Sequence, residues 1–266
     1  MDFEFINTLI NSLKSQNIFN YAFTGTKVLA MAFLLFRFLE TYIKNFETES
    51  PQIGGVLTVL GSGLMIMSGG WIIDSIENIF AGVDAKMHGT SSDLYTDLMN
   101  NIWMKFEELF EGCDAWYDYI SAVAGSLISI IFLVIGALLA ILAKIADLSI
   151  TAGYLVQRIF ILQLLKFLFP LMLAFGTFTK MENMLYSWIK RYIGMFILGI
   201  AYIGIINFTS LIQSAVSSQF SGTDFGTGSS GIVDFGFGIL VTIIITITIK
   251  IKLLHSVTSY VMSMFS

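Results

Sequence analysis

Long apolar runs divide this chain into six segments separated by polar stretches. Their bounds are Tyr21–Tyr42, Ile53–Phe80, Ile120–Ala143, Leu148–Phe178, Trp188–Ile212 and Ile232 to about Met262. Each is as long as, or longer than, the roughly 20 residues that an α-helix needs to cross the hydrocarbon core of a bilayer. Only helices and closed barrels span membranes, and barrel strands alternate over about ten residues. The pattern therefore predicts an all-α, polytopic transmembrane bundle.

The stretch "VTIIITITIKIKLLHS", Val241–Ser256, carries a conflicting signal. Alternation at period two is typical of a half-buried strand. We interpret the stretch as a helix, because the neighbouring segments require helices and intrinsic propensity is a weak prior. On a helix, its polar residues form two rows at spacing four, which we expect to contact protein or water: Thr242, Thr246 and Lys250 in one, and Thr248, Lys252 and Ser256 in the other.

Patterning divides the chain into four regions. They are an amphipathic N-terminal helix (1–20), two transmembrane segments (21–80), an acidic extramembrane helical hairpin (81–119) and a four-segment transmembrane core (120–266). The first region has apolar residues at helical spacing, which predicts a helix that lies on the membrane or a partner, or packs on the same chain.

The acidic hairpin is the longest polar stretch. Its candidate residues for docking a protein partner are Trp103, Phe106, Phe110, Glu107 and Glu111. The aromatic residues supply apolar contacts, and the carboxylates supply charge. A solvated acidic loop without a partner is the alternative interpretation.

Composition supports the membrane assignment. The chain is 56% hydrophobic and 12% charged, with a mean hydropathy of +0.80. Soluble domains carry about 25% charged residues, so the bilayer must solvate much of this chain. The net charge of −5 argues against a broad nucleic-acid-binding face. With no catalytic motif and no cluster of cysteine and histidine, we predict no enzymatic activity, cofactor or metal.

Basic residues indicate the orientation of the segments. Lys180, Lys190 and Arg191 place the connection between segments four and five in the cytoplasm, and the connection between five and six has no lysine or arginine. The C-terminus is then cytoplasmic. Arg37 and Lys44 also place the connection after segment one inside, which conflicts with six simple spans. Either one segment does not cross, or the bias is weak in that half.

Ionisable residues in the apolar segments are candidates for function, because charge in a membrane is costly. Lys144 and Asp147 are three residues apart, which predicts a local ion pair, with a proton or ion relay as the alternative. Arg158 and Lys166 share a helical face, which we expect to meet other helices or a wet cavity. The alternative for these two, and for the lysines of segment six, is snorkelling to the membrane surface.

A family resemblance appears in segments four and five, Arg158–Val216. A long apolar helix carries Pro170 and ends with Phe175 and Gly176. A short loop follows, with a tryptophan and basic residues: Trp188, Lys190, Arg191 and Tyr192. A second long apolar helix comes next, with polar residues at its far end: Asn207, Thr209 and Ser210. This arrangement resembles the TrbL/TraJ-type subunits of type IV secretion systems. It is similar in particular to the TraJ proteins of conjugative elements in Bacteroidota.

The resemblance implies a multi-pass subunit of the bacterial inner membrane. Such subunits assemble in several copies, beside other inner-membrane secretion subunits and a secretion ATPase, into a channel or pilus platform near the passing DNA or protein. It marks Pro170 and Trp188 as structural residues. Together with these two, the candidates for helix packing and assembly are Arg158, Lys166, Lys250 and Lys252. We expect charge reversal at Lys250 or Lys252 to disrupt assembly more than insertion. A secondary transporter or channel is the alternative function.

Overall fold

The structure is a computed structural model that describes residues 8, 12, 17–46, 53–89, 94–111, 116–220 and 231–265. Within these ranges all regular secondary structure is helical, which confirms the all-α prediction. The helices are α1 (Asn17–Phe46), α2 (Ile53–Met67), α3 (Gly69–Gly89), α4 (Leu94–Glu108), α5 (Trp116–Gly176), α6 (Glu182–Phe220) and α7 (Gly231–Met264). Most of the predicted N-terminal amphipathic helix lies outside the described residues.

Four of the described helices are long and apolar enough to cross a membrane. They are α1, the part of α5 from Ile130 to Gly176, α6, and the part of α7 from Gly236 to Met264. A fifth span arises if α2 and α3, which are bent by 64° against each other, are counted as one. The multi-pass prediction is confirmed by length and composition, with four or five spans in place of about six.

The lower number has a specific cause in α5. The predicted third and fourth segments are parts of one continuous helix of 61 residues. Lys144 and Asp147 interrupt the hydropathy there, but the residues "AKIAD" contain neither glycine nor proline and do not interrupt the helix. The prediction of two separate segments was wrong because polarity was taken as a helix boundary.

The second predicted segment contains a break. Ser68 separates α2 from α3, and two glycines, which are poor helix formers, follow it. A Cβ atom added at Gly69 would lie 3.0 Å from the ring of Phe169 on α5. The ammonium group of Lys27 lies 3.4 Å from the carbonyl oxygen of Met67, the last residue of α2. Because Gly69 has no side chain, α3 can approach Phe169 of α5 closely at the bend.

Two compact units make up the chain. Unit 1 comprises Met1–Gly89, Leu155–Ala201 and Val257–Ser266, and unit 2 comprises Thr90–Tyr154 and Tyr202–Ser256. Helices α5, α6 and α7 therefore each contribute a section to both units.

The core of unit 2 is formed by α4, α5 and α7. Its buried apolar residues are Leu98, Ile102, Leu133, Ala140, Ala143, Ile239 and Ile243. Leu98 and Ile102 belong to α4, so the apolar face of the predicted hairpin packs against the long helices of its own chain. Helix α6 runs alongside, with Tyr202 against Tyr154 of α5 at a centroid distance of 5.9 Å.

Candidate functional site: buried polar contacts between the helices

A buried ion pair joins α5 and α7 within unit 2. The ammonium of Lys250 lies 2.7 Å from a carboxylate oxygen of Asp147, and the two side chains are only 3% and 4% exposed. Asp147 therefore pairs with a residue more than 100 positions away, and the predicted local pair with Lys144 was wrong. The reason is burial, because Asp147 lies on the covered face of α5, whereas Lys144 is half-buried.

The two polar rows of α7 have different environments. Thr242, Thr246 and Lys250 are buried, whereas Thr248 and Lys252 are exposed. The Thr242 hydroxyl donates to the carbonyl of Gly238 at 2.8 Å, so it finds its partner within its own helix. The row formed by Thr242, Thr246 and Lys250 is therefore covered by protein, as the spacing at four residues predicted.

Arg158 on α5 is a deeply buried cation of unit 1. The side chain is 1% exposed, and its Nε donates to the carbonyl oxygen of Met195 on α6 at 2.9 Å. One turn further along α6 lies Gly199, where an added Cβ would be 2.4 Å from the guanidinium carbon. The guanidinium therefore lies against α6 in the space that the missing side chain of Gly199 leaves open.

Lys166, two turns further along α5, binds two carboxylates of α3. Its ammonium lies 3.1 Å from Asp74 and 3.2 Å from Glu77. The Asp74 side chain is 63% exposed, so solvent weakens this part of the contact. The pair of carboxylates shares one cation that ties α3 to α5.

Replacing Lys166 by methionine tests this bridge. We expect the Lys166→Met protein in detergent to lose about 1 kcal/mol, because two neighbouring carboxylates remain without their cation in a partly exposed setting. The melting temperature should fall by about 2–4 °C. The exposed Lys190 provides the control, and an equal fall for Lys190→Met would contradict the bridge.

Two further contacts between helices lie just before Pro170. A proline inside a helix removes a backbone hydrogen bond and disturbs the turn before it. In that turn, the carbonyl of Phe167 accepts a hydrogen bond from the Thr26 hydroxyl of α1 at 2.6 Å. The carbonyl of Leu165 accepts one from the indole Nε1 of Trp188 on α6 at 3.0 Å. Side chains of two other helices thus bind the backbone just before Pro170.

Trp188 is also the centre of an aromatic row. Its ring stacks on Tyr192 at a centroid distance of 5.0 Å and contacts Phe169 of α5 at 5.2 Å. Tyr192 in turn meets Phe196 edge-on at 5.1 Å. The residues at positions 188, 192 and 196 are four apart, so they form a continuous row along α6.

The docking candidates on α4 point in different directions. Phe106 packs against the core of unit 2, whereas Trp103 is exposed and its Nε1 donates to Glu107 at 2.8 Å. Phe110 is half-buried and stacks on Tyr119 at 6.0 Å, and Glu111 is exposed. Trp103, Glu107 and Glu111 remain available to a partner.

These buried polar contacts connect helices within each unit. In the described ranges no group of three or more histidine, cysteine or acidic side chains could hold a metal ion. Sequence reasoning identified Arg158, Lys166, Trp188 and Lys250, but it missed Thr26 and Gly199. A glycine among the bulky residues of α6 was the available signal for the second.

A comparison with protein families decides what kind of scaffold this is. The profile of the TrbL/VirB6 plasmid conjugal transfer protein matches residues 54–252. The chain belongs to the TrbL/VirB6 family. The matched range includes Asp147, Arg158, Trp188 and Lys250. No curated protein and no solved structure matches the chain.

As a TrbL/VirB6 protein, the chain is a multi-pass membrane subunit of a conjugal transfer, or type IV secretion, system. Members of the family are structural components of a multi-subunit transfer complex in the lipid bilayer, and not enzymes.

Proposed function

We propose that this TrbL/VirB6 protein is a channel or platform subunit in the bacterial inner membrane, which assembles in several copies to support transfer of DNA or protein. The observation that carries the proposal is the family membership of a chain in which the buried Asp147, Arg158 and Lys250 each bind a neighbouring helix. Helices held together by such contacts within each unit suit a subunit that is repeated around a passage.

We propose that assembly in several copies uses part of the exposed apolar face of α5. The members of one row on this face are spaced alternately by four and three residues over two heptads, the spacing of helices that pack side by side: Ile131, Ile135, Leu138, Leu142 and Ile145. We propose that another copy of the chain, or another inner-membrane secretion subunit, covers this row.

The partners and subfamily follow from the same proposal. The outward Trp103, Glu107 and Glu111 of α4 are proposed to dock another secretion subunit, and a secretion ATPase is the expected cytoplasmic neighbour. A position among the TraJ proteins of Bacteroidota elements is likewise a proposal, which rests on the arrangement around Pro170 and Trp188. Contact with the transferred DNA or protein would be transient.

The bend between α2 and α3 favours a transporter as the second candidate. Transporters bind substrates at broken helices, usually at corresponding positions in two repeated halves. In the described part of the chain, α2 and α3 are the one bent pair of helices that is long and apolar enough to form a broken span. The family membership outweighs this single feature.

We propose a topology with five spans, in which α2 and α3 together form one. Counting back from a cytoplasmic C-terminus, the connection 177–181 is cytoplasmic, Cys113 is outside, and the connection 47–52 is cytoplasmic. Arg37 and Lys44 are then on the side that the positive-inside rule favours. The conflict that six spans create does not arise.

Cysteine labelling tests this topology. In spheroplasts, a membrane-impermeant maleimide should label Cys113, the only cysteine of the chain, without permeabilisation. In a Cys113→Ser background, Lys180→Cys should react only after permeabilisation. Labelling of Cys113 only after permeabilisation would contradict this topology, because it would require a second crossing between Cys113 and the connection 177–181.

Purification from the native membrane in mild detergent tests the function itself. Recovery with a secretion ATPase and other transfer subunits is the expected result, and loss of conjugal transfer on deletion should accompany it. A discrete small oligomer without these subunits, from a strain whose transfer survives the deletion, would favour the transporter. Solute flux in liposomes would then be measured.

A further inference from the structure

The relative position of α5 and α7 is defined by two contacts in unit 2. The ring of Phe132 lies 6.1 Å from that of Phe237, and Asp147 binds Lys250. Both contacts advance in the same direction along the two helices, by 15 residues on α5 and 13 on α7. The helices therefore run parallel, and one specific register joins them.

From Ile239 to Ile251, the apolar surface of α7 nearly repeats after one helical turn. A shift of four residues, about one helical turn, replaces Ile239 by Ile243, Thr242 by Thr246, and Ile243 by Ile247. Ile245 and Ile247 are likewise replaced by isoleucine. Packing depends on side-chain shape, so a sequence that repeats itself after one turn packs almost equally well in two positions.

Lys250 breaks the repeat. Sliding α7 by one turn replaces Lys250 opposite Asp147 with Thr246 or Leu254. The carboxylate would then be buried without a counter-ion, which is strongly unfavourable, whereas the native pair satisfies both charges. Helices in lipid also lack a hydrophobic driving force for association, so polar contacts weigh more in choosing among packings.

We propose that the Asp147–Lys250 pair determines the register between α5 and α7. The pair is a positioning device, and it selects one of several packings that the isoleucine-rich surface would accept. A buried ion pair commonly adds little net stability compared with apolar residues of the same size. Specificity of packing is therefore the property that this pair contributes. The inference does not depend on the proposed function.

Disulfide cross-linking can report the register directly. The Cβ of Phe132 lies 3.9 Å from the position of an added Cβ at Gly236. That separation falls within the Cβ–Cβ range of disulfides, about 3.5–4.5 Å. In a Cys113→Ser background, the pair Phe132→Cys with Gly236→Cys reports the native register. Pairing Phe132→Cys with Leu240→Cys or Ile232→Cys reports a shift of one turn in either direction.

The three pairs are compared in membranes after mild oxidation. With Asp147 and Lys250 intact, cross-linking of the native pair should exceed that of either shifted pair by about tenfold or more. In the Asp147→Leu, Lys250→Met variant, which has no buried charge, the shifted pairs should form at levels within a few-fold of the native pair. The exchanged variant, Asp147→Lys with Lys250→Asp, should restore the preference.

Two further variants keep the result interpretable. Lys252→Met removes a neighbouring but exposed lysine and should leave the native preference unchanged. Asp147→Asn leaves Lys250 buried without its partner and is expected to accumulate poorly, so the conclusion rests on the double variants. If the Asp147→Leu, Lys250→Met protein retains the native preference in full, packing alone sets the register and the proposal is wrong.

Discussion

Replacing Trp188 by alanine should destabilise the protein by about 3–5 kcal/mol, the cost of removing a large buried aromatic side chain. The indole fills the space between Phe169 and Tyr192 and donates to the carbonyl of Leu165. Thermal unfolding in detergent should show a melting temperature about 10 °C lower. Conjugal transfer should fall with the amount of folded protein in the membrane.

Two further tryptophan variants separate the contributions. Trp188→Phe keeps an aromatic ring but removes the Nε1 donor, so it should cost about 1 kcal/mol plus the loss of ring area. Trp71 is exposed, and Trp71→Ala should be close to neutral. If Trp188→Ala melts like Trp71→Ala, the row along α6 does not hold α5 in place.

Adding one methyl group at Gly199 should have the second largest effect. The new Cβ would overlap the buried guanidinium of Arg158, with 2.4 Å to its central carbon. Arg158 would have to move from the carbonyl of Met195, which combines overpacking with the loss of a contact to a buried charge. We expect Gly199→Ala to cost about 2–4 kcal/mol, measured as lower thermal stability in detergent.

Gly204 on the same helix is the matched control, because a Cβ added there has no atom within 4 Å. Gly204→Ala should be neutral or slightly stabilising, since alanine favours helix. Combining Gly199→Ala with Arg158→Met should cost less than the sum of the two single changes, because the overlap disappears. Full additivity would show that the two residues do not meet.

Hydropathy correctly predicted helices in the apolar segments, since each run exceeds the bilayer and the chain has no other way to pair its backbone. It failed at Lys144 and Asp147, where a charged residue was interpreted as a boundary. The charge lies inside a continuous helix because a distant lysine neutralises it.

The candidate residues show the same limit. Arg158, Lys166 and Lys250 were selected because charges in apolar segments are costly, and that argument needs no structure. Their partners could not be predicted, since Asp147, Met195 and the carboxylates of α3 are far away in sequence. Gly199 was not selected, because a glycine shows its role only when the side chain it accommodates is known.

The amino-acid sequence by itself determined that this is a helical membrane protein and which residues are out of place in lipid, because both follow from local hydropathy and the cost of burying charge. The tertiary structure alone decided which of those residues meet. It joined Asp147 to Lys250, Arg158 to Met195 and Trp188 to Leu165. Helical period and hydropathy repeat along each segment, so they leave the partner and the register open, and only the packing of specific side chains selects among them.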